Sequence, residues 1–130
     1  MKNSNFISAL SLPLRIIPDQ WNSVVAARSL NYFLRGQPAR NRLHELEGKR
    51  LSILFTDIPS EIRFTFRGKK LYASSSVDWD VRISGDVASF WLLATRKEDP
   101  DTLFFHRRLN IEGDTETGLY IKNMLDALEY

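Results

Sequence analysis

The chain has 130 residues, 43% hydrophobic, 12% aromatic and 26% charged, with a net charge of +2 and no cysteine. Such a length fits one domain with a continuous apolar core, and no apolar run reaches the ~18 residues that a membrane span needs. Without cysteine there is no disulfide framework, no thiolate nucleophile and no thiolate-held metal, which fits a reducing, cytoplasmic setting.

The charge is unevenly placed: residues 1–50 carry 8 Lys/Arg against 3 Asp/Glu, whereas residues 51–130 carry 10 against 13. A basic N-terminal half is attracted to anionic lipid or nucleic acid, although any one arginine is as well explained as part of a solvated helical face. The opening MKNSNFISALSLPLRIIP is mildly apolar, but Pro13, Arg15 and Pro18 interrupt it and no small-residue cleavage site follows. No signal peptide is expected. Residues 1–18 form an N-terminal segment in this reading, and 19–130 a single domain.

Helix punctuation runs from Pro18-Asp19 to Gly36, and Trp21, Val24, Val25, Leu30, Phe33 and Leu34 give the intervening segment a broad apolar face. Pro38 starts a second short helix, Ala39 to Glu47, stopped by Gly48. The period then changes from 3.6 to 2. Leu51, Ile53 and Phe55 alternate with Ser52 and Thr56, and Ile62, Phe64 and Phe66 with Arg63, Thr65 and Arg67, which predicts two half-buried strands. Gly68-Lys69 then turns a hairpin into Leu71-Tyr72-Ala73. Trp79-Val81-Ile83 predicts a fourth strand and Leu109-Ile111 a fifth. One-sided strands of this kind belong to an antiparallel sheet with one wetted face. Asp86 is the expected N-cap of a helix from Val87 to Lys97 that has almost no polar face and must be buried or border something apolar. Leu103, Phe104 and Phe105 fall on a short turn. Asp114 caps a last helix in which Ile121, Met124, Leu125 and Leu128 share a face.

Catalytic patterns are missing. His44 and His106 sit in no metal-ligand or nucleophile spacing, and the 6 glycines form no phosphate loop. Asp78 and Asp80 would share one face of a strand, but solvated carboxylates beside Arg82 are the plainer account of them. An RNA-binding sheet needs exposed aromatics, whereas Phe64 and Phe66 alternate away from Arg63 and Arg67, so nucleic acid is not expected. What stands out is the excess of large apolar groups at Phe90, Trp91, Leu92, Leu93, Leu103, Phe104 and Phe105. Either they pack a dense core or some of them line a cavity.

EDPDTLFFHRRLNIEGDTETGLYIKNMLDALE, residues 98–129, resembles the C-terminal signature of sterol carrier protein type two domains: a short helix with paired aromatics, a strand of the form R-L-x-I-E-G-D, then a helix. More narrowly, Arg96-Lys97-x-Asp99-Pro100-Asp101-Thr102-Leu103-Phe104-Phe105, with Arg107-Arg108-Leu109 and Ile111-Glu112-Gly113-Asp114-Thr115-Glu116, is similar to bacterial accessory factors of anaerobic ubiquinone biosynthesis. Members often carry a further C-terminal extension, and the sequence here stops at Tyr130.

The resemblance implies an α/β (α+β) fold in which a mostly antiparallel five-stranded sheet, covered by helices, encloses an apolar cavity. It implies a non-catalytic carrier without cofactor or metal that holds a prenylated quinone precursor or other lipid. Hydroxylase partners resembling UbiU and UbiV are implied with it. A scaffold that gathers biosynthetic enzymes, or a general phospholipid or fatty-acyl carrier, is the alternative. The lipid-contact candidates are then Trp79, Phe90, Trp91, Leu93, Leu103, Phe104, Phe105, Leu109, Ile121, Met124 and Leu125. Arg107 and Arg108 are candidates for a head group or a partner's carboxylate. Arg28, Arg35, Arg40 and Arg42 are candidates for peripheral docking on anionic membrane, the inner membrane in this reading.

Overall fold

A computed structural model describes residues 19–128, and of residues 19–21 the backbone alone. The N-terminal segment 1–18 and the apolar role expected of Trp21 lie outside the described residues. In chain order the elements are α1 (Asp19–Leu34), a 3-10 helix (Pro38–Leu46), β1 (Arg50–Phe55), β2 (Glu61–Arg67), β3 (Lys70–Ala73), β4 (Val81–Gly85), α2 (Val87–Ala94), α3 (Pro100–Phe105), β5 (Leu109–Gly113) and α4 (Thr115–Ala127).

The strands form one sheet in the order β3-β2-β1-β4-β5. Three neighbouring pairs are antiparallel, and β1 runs parallel to β4. The sheet is therefore mixed. Alternation reports which face a side chain occupies and is blind to strand direction, so the one parallel pair left no mark in the sequence. The β2–β3 hairpin turns at Gly68 and Lys69, with φ of 57° and 61°, the two left-handed residues of a type I′ turn.

Register puts Leu51, Phe64, Phe66, Leu71, Val81 and Ile83 on one face, and all six are buried. Ala27 and Leu34 of α1, Leu43 and Leu46 of the 3-10 helix, and Ile121 and Met124 of α4 pack on that face to form the core. At the free edge, the Asn31 side chain donates to the Leu71 carbonyl and accepts from its N–H, both at 2.8 Å, so α1 covers β3 through two exposed backbone groups.

The opposite face is polar and tightly paired. Glu61 accepts from the Arg63 guanidinium at 2.8 and 3.0 Å, from Arg82 at 2.8 Å and from the Ser52 hydroxyl at 2.6 Å. Burial alone would raise the Glu61 pKa, but these hydrogen bonds outweigh it and hold the carboxyl at about 2.

Three expectations need correction. The second helix is a 3-10 helix closed by i to i+3 bonds, such as Glu47 N–H to the His44 carbonyl. Trp79, expected on the apolar side of β4, precedes that strand, and its ring lies 4.6 Å from the Arg82 guanidinium, outside the core. Of the two carboxylates expected to be solvated beside Arg82, Asp78 is exposed, but Asp80 instead accepts from the Arg50 N–H at 2.7 Å and from its guanidinium at 3.4 Å.

The Glu61 pKa lies below its ordinary value of 4.5, so its contribution to stability is full above pH ~4.5 and fades as the pH falls toward 2. At ~1.4 kcal/mol per unit, it amounts to up to about 3 kcal/mol. In urea unfolding from pH 6 down to about 2, the stability gap between the wild type and Glu61→Gln is expected to close. A gap that stays constant over that range would show that the ionised carboxylate is not held this way.

Candidate lipid-binding site

The segment VASFWLLA of α2 contains one polar residue, Ser89, and that serine is the one residue of the helix that is buried. Phe90 leans inward against Phe55, edge to face at 5.2 Å. Trp91 is 63% exposed, and Leu92 and Leu93 are half-buried. The helix is thus neither enclosed nor solvated in the manner its composition calls for.

Asp86 starts α2 by accepting the Ser89 N–H at 2.8 Å. The helix ends three residues before the expected Lys97, because Arg96 adopts φ +55° and the Arg96 and Lys97 N–H groups turn back to the Leu93 and Leu92 carbonyls. This is a Schellman reversal with arginine where glycine is usual. The Arg96 guanidinium offsets that strain by donating to the last carbonyls of α4, Leu125 at 3.0 Å and Asp126 at 3.2 Å.

The same device closes α3. Arg107 has φ +60°, and the Arg107 and Arg108 N–H groups return to the Phe104 and Leu103 carbonyls. The double phenylalanine is therefore the last helical step before a sharp turn, which throws Phe105 outward to 83% exposure. Arg107 and Arg108 emerge on the solvent side, and neither joins an ion pair among the described residues. After β5, Gly113 at φ +105° lets the chain pass where a Cβ would sit 2.4 Å from the Asp80 carbonyl, and Asp114 caps α4 through the Glu116 N–H and the Thr117 hydroxyl.

Beside the turn lies a cleft of about 560 Å³ lined by Asp101, Thr102, Phe104, Phe105, His106 and Lys122. Lys122 pairs with Asp101 at 3.3 Å and stands 5.9 Å from the Phe104 ring. At this place, then, the expected apolar chamber is an open cleft with polar groups in its wall. The eleven lipid-contact candidates do not gather there. Phe104 and Phe105 line the cleft and Trp91 is exposed on α2. Leu103, Leu109, Ile121 and Met124 are buried packing residues, while Phe90, Leu93 and Leu125 are half-buried.

The docking arginines also divide. Arg28, Arg35 and Arg40 line a second cleft of about 430 Å³, joined by Lys70 of β3. Arg42 does not line it, and its backbone carbonyl accepts the Tyr120 hydroxyl at 2.8 Å. Lys70 and Lys122 both escaped the sequence reading, since each meets its site across the fold and no local spacing marks it.

A single sheet with helices gathered on one face, an underpacked apolar helix and an adjoining cleft define a small α+β binding fold. The sequence pattern of the SCP-2 sterol transfer family matches residues 30–126, and the chain belongs to that family. It is 42% identical over 122 residues to the ubiquinone biosynthesis accessory factor UbiT of Escherichia coli, covering 94% of this chain and 70% of the relative. Several solved structures share the fold. One, described as a UbiJ-SCP2 ubiquinone synthesis protein, superposes with a TM-score of 0.62 at 18% identity, over 82% of this chain and 89% of its own. Apo sterol carrier protein 2 from Yarrowia lipolytica gives 0.54 at 14% identity, over 88% and 98%. No helix among the described residues is long and apolar enough to cross a membrane.

Packing and ligand roles separate by truncation. Leu103→Ala is expected to cost about 2–5 kcal/mol in urea unfolding, whereas Trp91→Ser and Phe105→Ser stay within about 0.5 kcal/mol of the wild type. Equal losses at all three positions would place Trp91 and Phe105 in the core.

Proposed function

We propose that the protein is a non-catalytic lipid carrier that shelters prenylated ubiquinone precursors while partner proteins, hydroxylases resembling UbiU and UbiV among them, modify the ring without oxygen. The observation that carries the reading is α2: its apolar side chains stand unburied next to α3, with Trp91 63% and Phe105 83% exposed. A folded chain leaves such a helix uncovered where something else covers it. The 42% identity to UbiT supports ubiquinone chemistry as the context, and membership of the SCP-2 family supports a lipid as the ligand.

The mechanism follows from transfer energies. A five-carbon prenyl unit gains about 4 kcal/mol on leaving water, at ~0.8 kcal/mol per buried carbon, and almost nothing on leaving a bilayer. A useful carrier is therefore nearly isoenergetic with membrane and must open readily. A short α3 ending in a reversal, with Phe105 outside and Phe104 at the cleft wall, suits that task better than a sealed core. We place Arg107 and Arg108 at the head group or at a partner's carboxylate, where a guanidinium binds two oxygens at once.

Purified protein is expected to release a defined prenylated lipid on extraction and mass spectrometry. Phe105→Asp, on an exposed side chain, removes that lipid while unfolding stays cooperative. Full lipid content in the variant would refute the placement, and no lipid in the wild type beside stable capture of biosynthetic enzymes would favour a scaffold instead.

Delivery requires contact with the membrane, and exposed bases supply it at about 1 kcal/mol each near an anionic surface. Arg28, Arg35 and Arg40, the docking candidates that share the second cleft, suffice for reversible attachment of the carrier. Flotation with vesicles should weaken with added salt and with removal of anionic lipid; binding indifferent to both would refute electrostatic docking.

A further inference from the structure

We propose that the cleft between α1, the 3-10 helix and β3 is a discrete phosphate-binding site, which deepens the docking read for the same arginines and is independent of the prenyl-lipid cargo. Arg28 and Arg35 lie two helical turns apart and so project from one side of α1. Gly36 at φ +77° ends that helix, and the Gln37 and Arg40 N–H groups bond back to the Leu34 and Gln37 carbonyls, folding the 3-10 helix alongside so that Arg40 faces the same space. The Asn31 clamp on Leu71 brings β3 up from the other side and with it Lys70. The Arg35 guanidinium lies 5.8 Å from the Tyr32 ring, which restricts its fork.

Four cations thus surround about 430 Å³ of space. No carboxylate lines the cleft, and none pairs with these four side chains among the described residues. Elsewhere in the fold, Lys49, Arg50, Arg63, Arg82 and Lys122 each pair with a carboxylate. The C-terminus of α1 opposes an anion with only about half a negative charge, which four cations exceed. A phosphate carries about −1 as a diester and about −1.5 to −2 as a monoester, and its two or three non-bridging oxygens match a cradle of guanidinium forks and one ammonium. The phosphate is either a lipid head group or a soluble ester. General docking would spread its effect evenly over the exposed arginines, whereas a cradle concentrates it at Arg35 and Lys70 and spares Arg42.

The test uses the full chain and two probes at fixed ionic strength: inorganic phosphate followed by amide chemical shifts, and flotation with phosphatidylcholine vesicles with or without phosphatidylglycerol. Saturable shifts confined to the end of α1, residues 38–40 and Lys70 are expected for a soluble ester. For a head group, binding is expected only to the phosphatidylglycerol vesicles. In either arm the double variant Arg35→Gln/Lys70→Gln should lose at least about tenfold in affinity, the effect of removing two charge-assisted hydrogen bonds. Arg42→Gln should change it less than about twofold, as a surface charge outside the site does. Removing crowded like charges should not lower the Tm of the double variant, so a loss of binding cannot be ascribed to unfolding. Equal losses in the double variant and Arg42→Gln, or no saturable binding in either arm, would overturn the proposal. Neither result bears on prenyl-lipid extraction, which is measured without phosphate.

Discussion

The sheet has only one face on which helices can pack, and the rest of the architecture follows from that. Ser52, fully buried, Glu61, Arg63 and Arg82 satisfy one another across three strands on the other face. Placing a helix there would demand that these charges lose water without gaining partners. Five strands at ~4.8 Å give a usable width of about 20–25 Å, and a helix with its side chains occupies about 10 Å. Room exists for about two helices abreast. The core shows which elements obtained it: α1, the 3-10 helix and α4 supply most of its buried helical residues, whereas α3 adds buried Leu103 and partly buried Phe104, and α2 only partly buried Phe90.

That crowding turns α2 into a liability for an isolated chain and an asset for a carrier. Fully burying a side chain as large as Phe gains about 1.5–3 kcal/mol. Trp91 and Phe105 forgo most of this, and the two helices that bear them end in left-handed arginines, a conformation that costs about 1–2 kcal/mol for an L-residue. Arg96 offsets its share through the α4 carbonyls, whereas the Arg107 guanidinium makes no comparable bond among the described residues and stays exposed. The turn after the double phenylalanine is accordingly the less firmly held of the two. The bases beside Phe104 and Phe105 have a local purpose before any functional one, since Arg107 occupies the position that reverses the chain.

Much of the fold was legible because its signals are local. Period-2 alternation located all five strands, Gly68-Lys69 the hairpin, and Asp86 and Asp114 the two capped helix starts. What escaped depends on contacts between distant residues. The parallel β1–β4 pair, the early end of α2 at a non-glycine reversal, and the removal of Trp79 to a stack under Arg82 each rest on partners from another element. The site was less legible than the fold for the same reason. Apolar character marks Leu103 and Phe105 alike, yet the first is 0% exposed and the second 83%, a difference fixed only by which side of a six-residue helix meets the sheet. Among the arginines, composition could not separate Arg42 from Arg28, Arg35 and Arg40, since only the bend at Gly36 decides which of them converge.

The two clefts stand at opposite edges of the sheet. α1 lies over β2 and β3, whereas α3 packs against β5 and α4, so the basic cleft and the phenylalanine cleft are separated by about the distance from β3 to β5, four steps of ~4.8 Å or about 19 Å. A compact ligand cannot fill both. A head group in the basic cleft and a tail beneath Phe105 would have to be joined across the helical layer, where Leu43, Leu46, Ile121 and Met124 already close the core. On the two proposals, the simpler arrangement assigns them to different molecules, phosphate at one edge and cargo at the other. Binding at either edge then leaves the other free, and a protein held by its basic edge can still present the apolar one to whatever exchanges lipid with it.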